Sequence, residues 1–223
     1  MSKKVMVIVA HPDDEVLGCG ATIARHSDQG DDLALLVMAD GETSRNTVDW
    51  NKETRDEGLY AAAKILGIKE VYVENYPDQK MDTIAILDIV RSIENKINKW
   101  RPSVIYTHHG GDLNLDHRIT HQAVMTACRP QPDSLIDAIY TFEVLSSTEW
   151  ASSVDTQFRP TRACDISKYL DIKLVALECY HKELREFPHP RSYEAVMHLA
   201  KIRGAQYGVE AAEVFFIERE LWR

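Results

Sequence analysis

The chain alternates between short, uninterrupted apolar runs and longer segments with an apolar residue every three or four positions. The run VMVIVA at 5–10 is β-branched and unbroken, the pattern of a strand buried on both faces of a parallel sheet. A second strand is expected over 31–38, and shorter ones over 70–73 and 103–107. Helical spacing fills the gaps. It runs over 16–27 with Leu17, Ala21 and Ala24 on one face, and over 53–66, closed by Gly67. It returns over 83–99, where Ile84, Leu87, Val90, Ile93 and Ile97 are in register ahead of Pro102, and over 116–127. A less regular stretch then holds a strand over 138–145. Helices over 166–185 and 193–207 and a last strand over 213–217 follow.

Strand and helix alternate through Ala127, so right-handed crossovers predict a Rossmann-like, doubly wound α/β fold, a mostly parallel sheet flanked by helices. Nothing between 129 and 157 reads as an interdomain linker, and no internal repeat or low-complexity tract occurs, so residues 1–223 are expected to form one domain.

Charge and composition remove several classes of function. Lys+Arg 26 against Asp+Glu 35 gives a formal charge of −9, unsuited to non-specific nucleic-acid binding or to an anionic membrane surface. The longest apolar runs, at 5–10 and 33–39, are far short of a membrane span, so an integral membrane protein is not expected. The first run follows Lys3 and Lys4 but leads straight into His-Pro-Asp-Asp-Glu, which is no signal-peptide cleavage site. Cys19, Cys128, Cys164 and Cys179 form no Cys-x-x-Cys and read as reduced thiols of a cytoplasmic protein, with a homo-oligomer left open.

Ligands of open parallel sheets sit at the carboxyl ends of strands. Two loops expected there are rich in metal-competent residues: Ala10-His11-Pro12-Asp13-Asp14-Glu15, and the stretch His108-His109-Gly110-Gly111-Asp112-Leu113-Asn114-Leu115-Asp116-His117. His11 and Asp14 stand three apart on a tight turn, and His117 from the second loop completes a three-ligand site with an open position, Asp116 serving as an orienting neighbour. A helix start alone would account for the first loop, since acidic residues and Pro12 suit an N-terminus. It would not account for the second. Gly18-Cys19-Gly20 resembles a dinucleotide fingerprint, but Ile23 stands where the third glycine belongs and the acidic cluster would repel a pyrophosphate, so these glycines are assigned to helix–sheet packing. His121, four after His117, is expected beside the site or at the surface, and His26, His181, His189 and His198 as surface or packing residues.

The first loop, followed by Gly18-Cys19-Gly20, resembles the opening motif of the LmbE-like, or PIG-L, zinc-dependent de-N-acetylases. Asn114-Leu115-Asp116-His117 resembles their later His-x-Asp-His, and Arg203-Gly204 with Ala212-Glu213-Val214-Phe215 their C-terminal motif. The resemblance implies one Zn2+ per chain (other divalent metals being acceptable to N/O ligands) on His11, Asp14 and His117, and Asp13 as general base. It also implies an N-acetylated amino sugar as small-molecule substrate. Arg55 is near the family's substrate-contacting arginine, and Arg45, Arg191 and Asp78 are further candidates for contacting the sugar or a phosphate. Two departures stand out. Asn114 replaces a histidine that stabilises the oxyanion or protonates the leaving amine, so Asn114 is left to polarise the carbonyl and His109, with His108 beside it, becomes the candidate acid. Gly58 stands where the family often has Glu. A zinc-dependent hydratase of unsaturated carboxylic acids on the same scaffold, and a non-catalytic sugar-binding module, are the alternatives.

Overall fold

The structure is a computed structural model that describes residues 2–39, 52–132, 134–152, 154 and 156–222, with residues 52–55 by backbone only. Its strands are β1 (Lys4–Val9), β2 (Asp32–Ala39), β3 (Glu70–Tyr76), β4 (Val104–His108), β5 (Ala138–Phe142), β6 (Arg162–Asp165) and β7 (Ala212–Glu220). Its helices are α1 (Asp14–Asp28), α2 (Lys52–Leu66), α3 (Ile86–Trp100), α4 (Leu115–Ala127), α5 (Leu170–Glu178) and α6 (Tyr193–Tyr207), with 3-10 turns at Met81–Thr83 and Thr148–Trp150.

All seven strands form one sheet in the order β3-β2-β1-β4-β5-β7-β6. The first five in that order are parallel; β7 pairs antiparallel with β5, and β6 antiparallel with β7 at the edge. The α/β class read from the sequence is therefore correct, with β6 as a strand the periodicity did not show. The expected helix over 166–185 contracts to α5, whose end at Glu178 gives way to turns.

Strand β1 explains why its sequence is apolar without alternation. Val5, Val7 and Val9 face a core built with α1, α2, α5 and α6, while Met6 and Ile8 face one built with α3 and α4. Chain order reverses between β1 and β4, which lie side by side. The loops that leave their carboxyl ends therefore meet at the switch point where open sheets bind ligands. Among the described residues no helix is long and apolar enough to cross a membrane.

Helix α1 carries the first of those loops and is broken inside. Cys19 adopts non-helical angles (φ −148, ψ 23), and a side chain at Gly18 would run into the Phe142 ring. A break leaves unpaired backbone groups on both sides. Here Glu213 of β7 accepts from Ala21 N–H (3.1 Å) and Thr22 N–H (2.7 Å), and the Lys173 Nζ of α5 donates to the Leu17 carbonyl (2.9 Å) and to Glu213 (2.6 Å). Both charged side chains are buried. Lys173→Met leaves the buried Glu213 carboxylate with its two backbone donors but no counter-charge. Urea denaturation should show a loss of about 3–5 kcal/mol of stability.

Candidate metal centre

The turn after β1 begins at Ala10, and its shape is set by its own acidic residues. Asp13 has a positive φ of 102, uncommon and unfavourable for a residue with a Cβ. Its N–H donates to Glu15 Oε2 (3.1 Å), and Tyr180, just past α5, donates its hydroxyl to Glu15 Oε1 (2.6 Å). Burial pushes the Glu15 carboxyl up to about 8, against the opposing hydrogen bond from Tyr180. Two residues earlier in the motif, His11 N–H donates to Asp14 Oδ2 (2.9 Å). The turn thus presents His11, Asp13 and Asp14 together.

Strand β4 brings the second set. Asn114 caps α4, accepting from Asp116 N–H (2.9 Å), and so aims Asp116 and His117 of the first turn back at the β1 loop. His11 Nδ1 and His117 Nε2 each lie 3.3 Å from Asp14 Oδ2, and the two rings are 5.4 Å apart between centroids. A tetrahedral ion bonded at ~2.1 Å spaces its ligand atoms by about 3.4 Å, so these three donors fit one ion. Asp14 Oδ1, the oxygen beside the one measured above, and both ring nitrogens of His117 are buried atoms with no hydrogen-bond partner, as expected of groups beside an ion. His11, Asp14 and His117 are a group that could hold a metal.

Carboxylates orient both imidazoles from behind, in a pairing that differs from the sequence expectation. Asp116 lies not against His117 but against His11, Oδ2 to Nε2 at 3.1 Å, and Asp78 shares that nitrogen at 3.0 Å. Gln79 N–H (2.7 Å) and Met81 N–H (3.2 Å) hold Asp116 in place. Asp112 takes His117, Oδ1 to Nδ1 at 3.2 Å, and is itself held by Ser147, Thr148 (2.6 Å) and Asn114 N–H (2.8 Å). Asp112 belongs to the second loop, and residue type alone gives it no task. Spacing alone does not say which of two aspartates faces which ring.

The charges follow from these contacts. Burial acts to raise the Asp14 carboxyl, yet the imidazoles of His117 and His108 hold it well below the usual carboxylate range. Burial acts to lower His117, but Asp14 and Asp112 bring it to about 9; His11 is likewise held well above its ordinary value by Asp116, Asp14 and Asp78. His108 goes the other way, driven well down by burial and by His117. That direction suits its place. Its Nε2 accepts from Ala10 N–H (2.8 Å) and its ring stacks on His117 at 3.9 Å, so it forms the floor of the site.

The other expected residues fall as follows. Arg191 reaches in from the connection before α6, donating from Nη1 to Asp13 Oδ2 (2.8 Å) and from Nε to Ser146 Oγ (2.7 Å). His109 is buried but turned away, with Nε2 on the Thr156 carbonyl (2.8 Å) and its ring edge-on to Phe158. His121 Nδ1 donates to the His108 carbonyl (2.9 Å), beside the site as expected. Arg45 and the Arg55 side chain lie outside the described residues.

Residues 6–128 match the family model for PIG-L, GlcNAc-PI de-N-acetylase. The chain belongs to the PIG-L family. It is 32% identical to an Escherichia coli K12 protein described as uncharacterized deacetylase YaiS, over 79% of this chain and 89% of that one. It is 27% identical to a probable N-acetyl-alpha-D-glucosaminyl L-malate deacetylase 2 of Bacillus cereus, over 82% and 84%. A 4-oxalmesaconate hydratase of Pseudomonas putida is also similar, at 26% identity over 79% and 72%. In fold, N,N'-diacetylchitobiose deacetylase from Pyrococcus horikoshii superposes with a TM-score of 0.79 at 21% identity, covering 98% of this chain and 84% of that one. As in PIG-L relatives that are deacetylases, the chemistry expected of this chain is hydrolytic removal of an acyl group.

A divalent transition ion should raise the thermal unfolding midpoint of the wild-type protein. His117→Ala should abolish that shift. Asp112→Asn, which keeps the ring but loses the charge behind it, should weaken the ion's affinity about 10–100-fold in a titration against a competing chelator.

Proposed function

We propose that the chain is a zinc-dependent hydrolase that removes the acetyl group from an N-acetylated amino sugar, with His11, Asp14 and His117 as ligands and Asp13 as general base. The observation that carries this reading is that three donor atoms converge on one point with the Asp13 carboxylate next in the same turn. A divalent ion held there supplies Lewis acidity, acidifying water and polarising a carbonyl.

The protein's own groups do the rest. Asp13 takes the proton of the attacking water and later returns it to the departing nitrogen, work worth typically ~10²–10⁴ in rate. Its strained backbone angle, the Glu15 carboxyl behind its N–H and the Arg191 guanidinium on its Oδ2 fix where that carboxylate points. Asp116 and Asp112 hold the two imidazoles in the tautomer that leaves one nitrogen free for an ion. Asp78, expected as a sugar contact, lies with its Oδ1 on His11 and has its Gln79 neighbour as a second partner (3.2 Å). An amino sugar is supported by the relatives described as acting on N-acetyl-glucosaminyl and chitobiose substrates.

The test is a panel of N-acetyl sugars, free, nucleotide-linked and lipid-linked, scored for free amine and acetate. Release should require a divalent ion, vanish on chelation and return with added zinc. Asp13→Asn should lose on the order of 10² or more in kcat while binding the same amount of metal. Water addition to an unsaturated carboxylic acid, with no acetate from any sugar, would replace this reading by the hydratase one.

A further inference from the structure

De-N-acetylation creates a charge that needs a partner. When water adds to an acetyl carbonyl, its oxygen becomes an anion, and one preorganised donor aimed there is typically worth ~10²–10³ in rate. Each imidazole around the site is engaged at one ring nitrogen or both. His11 has carboxylates at both ring nitrogens, and so has His117. His108 uses Nε2 to accept from Ala10 N–H, and His109 places Nε2 on the Thr156 carbonyl, while the Nδ1 atom of each is buried without a hydrogen-bond partner and carries no fixed charge. Asn114 is occupied as a helix cap through its Oδ1.

Arg191 is in a different position. Its guanidinium is a permanent cation with five N–H donors in a rigid fork. Nη1 and Nε are used by Asp13 and Ser146, which pins the plane of the group beside the general base. Among the described residues no acceptor takes Nη2. The side chain keeps 21% of its surface exposed against 3% for Asp13, so it meets Asp13 from the more exposed side.

We propose that Arg191 is a catalytic residue, holding Asp13 with one arm of its guanidinium and donating from Nη2 to the acetyl oxygen. This rests on the de-N-acetylase reading. The water oxygen bonds to the acetyl carbon while one water proton passes to Asp13, and the carbonyl π pair moves onto the oxygen facing Arg191. As that pair returns, the C–N bond breaks and the nitrogen takes the proton from Asp13. The free amine and acetic acid leave, the acid ionising to acetate. In this chain a cation that cannot itself be deprotonated serves the oxygen, and Asp13 alone carries the proton.

Arg191→Met and Arg191→Lys should be compared with the wild type on an N-acetyl sugar it turns over, together with affinity for the analogue in which a methylphosphonamidate replaces the acetamide. In Arg191→Met, kcat should fall at least 100-fold with KM within threefold, and the tetrahedral analogue should bind at least 100-fold more weakly. Arg191→Lys keeps a charge without the fork and should recover at least tenfold of the lost rate. Equal metal content and melting temperature certify each variant, and if the methionine variant does not fold, Arg191→Lys alone decides, with kcat and analogue affinity expected to fall together. An analogue affinity unchanged in the folded variants, or a raised KM with kcat intact, overturns the proposal and leaves the deacetylase standing. A wild type that releases no acetate from any sugar overturns both.

Discussion

Six carboxyl groups, those of Asp13, Asp14, Glu15, Asp78, Asp112 and Asp116, are buried together at the carboxyl end of β1 and β4, and the site is arranged around that concentration of charge. An ionised carboxylate removed from water without a partner is too unfavourable to persist. Glu15 escapes by having its pKa raised to about 8 through burial. Asp13 has Arg191, while Asp112 and Asp116 share hydroxyls, backbone N–H groups and imidazoles. Asp14 keeps one oxygen without a hydrogen bond. The residual demand for positive charge falls where the two outward imidazole nitrogens converge, which is why the cluster reads as a cation site rather than as a structural polar network.

That cluster needs a scaffold with little slack, and the antiparallel edge of the sheet supplies it. Glu213 of β7 and Lys173 of α5 satisfy the backbone groups exposed by the break in α1. The break itself lets α1 pass Phe142 at Gly18 while its first turn still delivers Asp14 and Glu15 to the site. The C-terminal part of the chain therefore does more than widen the sheet: it fixes the angle at which the β1 turn meets the β4 loop. Val144, Ser147 and Thr148 do the same from the β5 side, through Thr148, which bonds both Val144 N–H and Asp112.

Much of this was legible before any coordinates, for a physical reason. Buried parallel strands and amphipathic helices leave a clear period, and β1, β2, β4 and α6 fall within a residue or so of where the pattern put them. Strand β6 left no such trace, because its four residues RACD are half-buried or exposed at the sheet edge and mix charge with small side chains. The chemistry showed the same division. Residue type and spacing singled out His11, Asp14 and His117, but the placing of Asp116 on His11 and of Asp112 on His117 depends on how the loop through Gly111 folds back. At Gly111 a side chain would collide with the Thr156 carbonyl. A contact between residues 105 positions apart, as between His11 and Asp116, is set by strand order and not by local sequence.

Gly58 shows how a single residue outside the cluster bears on the site. A Cβ at that position would lie 2.7 Å from the Cys179 carbonyl oxygen and 3.6 Å from the Tyr180 ring. Helix α2 thus approaches the end of α5 as closely as glycine permits, and a Glu there would have to push α5 away. The residue next to Cys179 is Tyr180, whose hydroxyl holds Glu15, whose other oxygen holds the N–H of Asp13. The absence of a side chain at residue 58 is therefore matched to the position of Tyr180, and through two short hydrogen-bonded steps to the backbone of the proposed base. The space that a side chain at residue 58 would need is thus already used by the segment that holds Asp13.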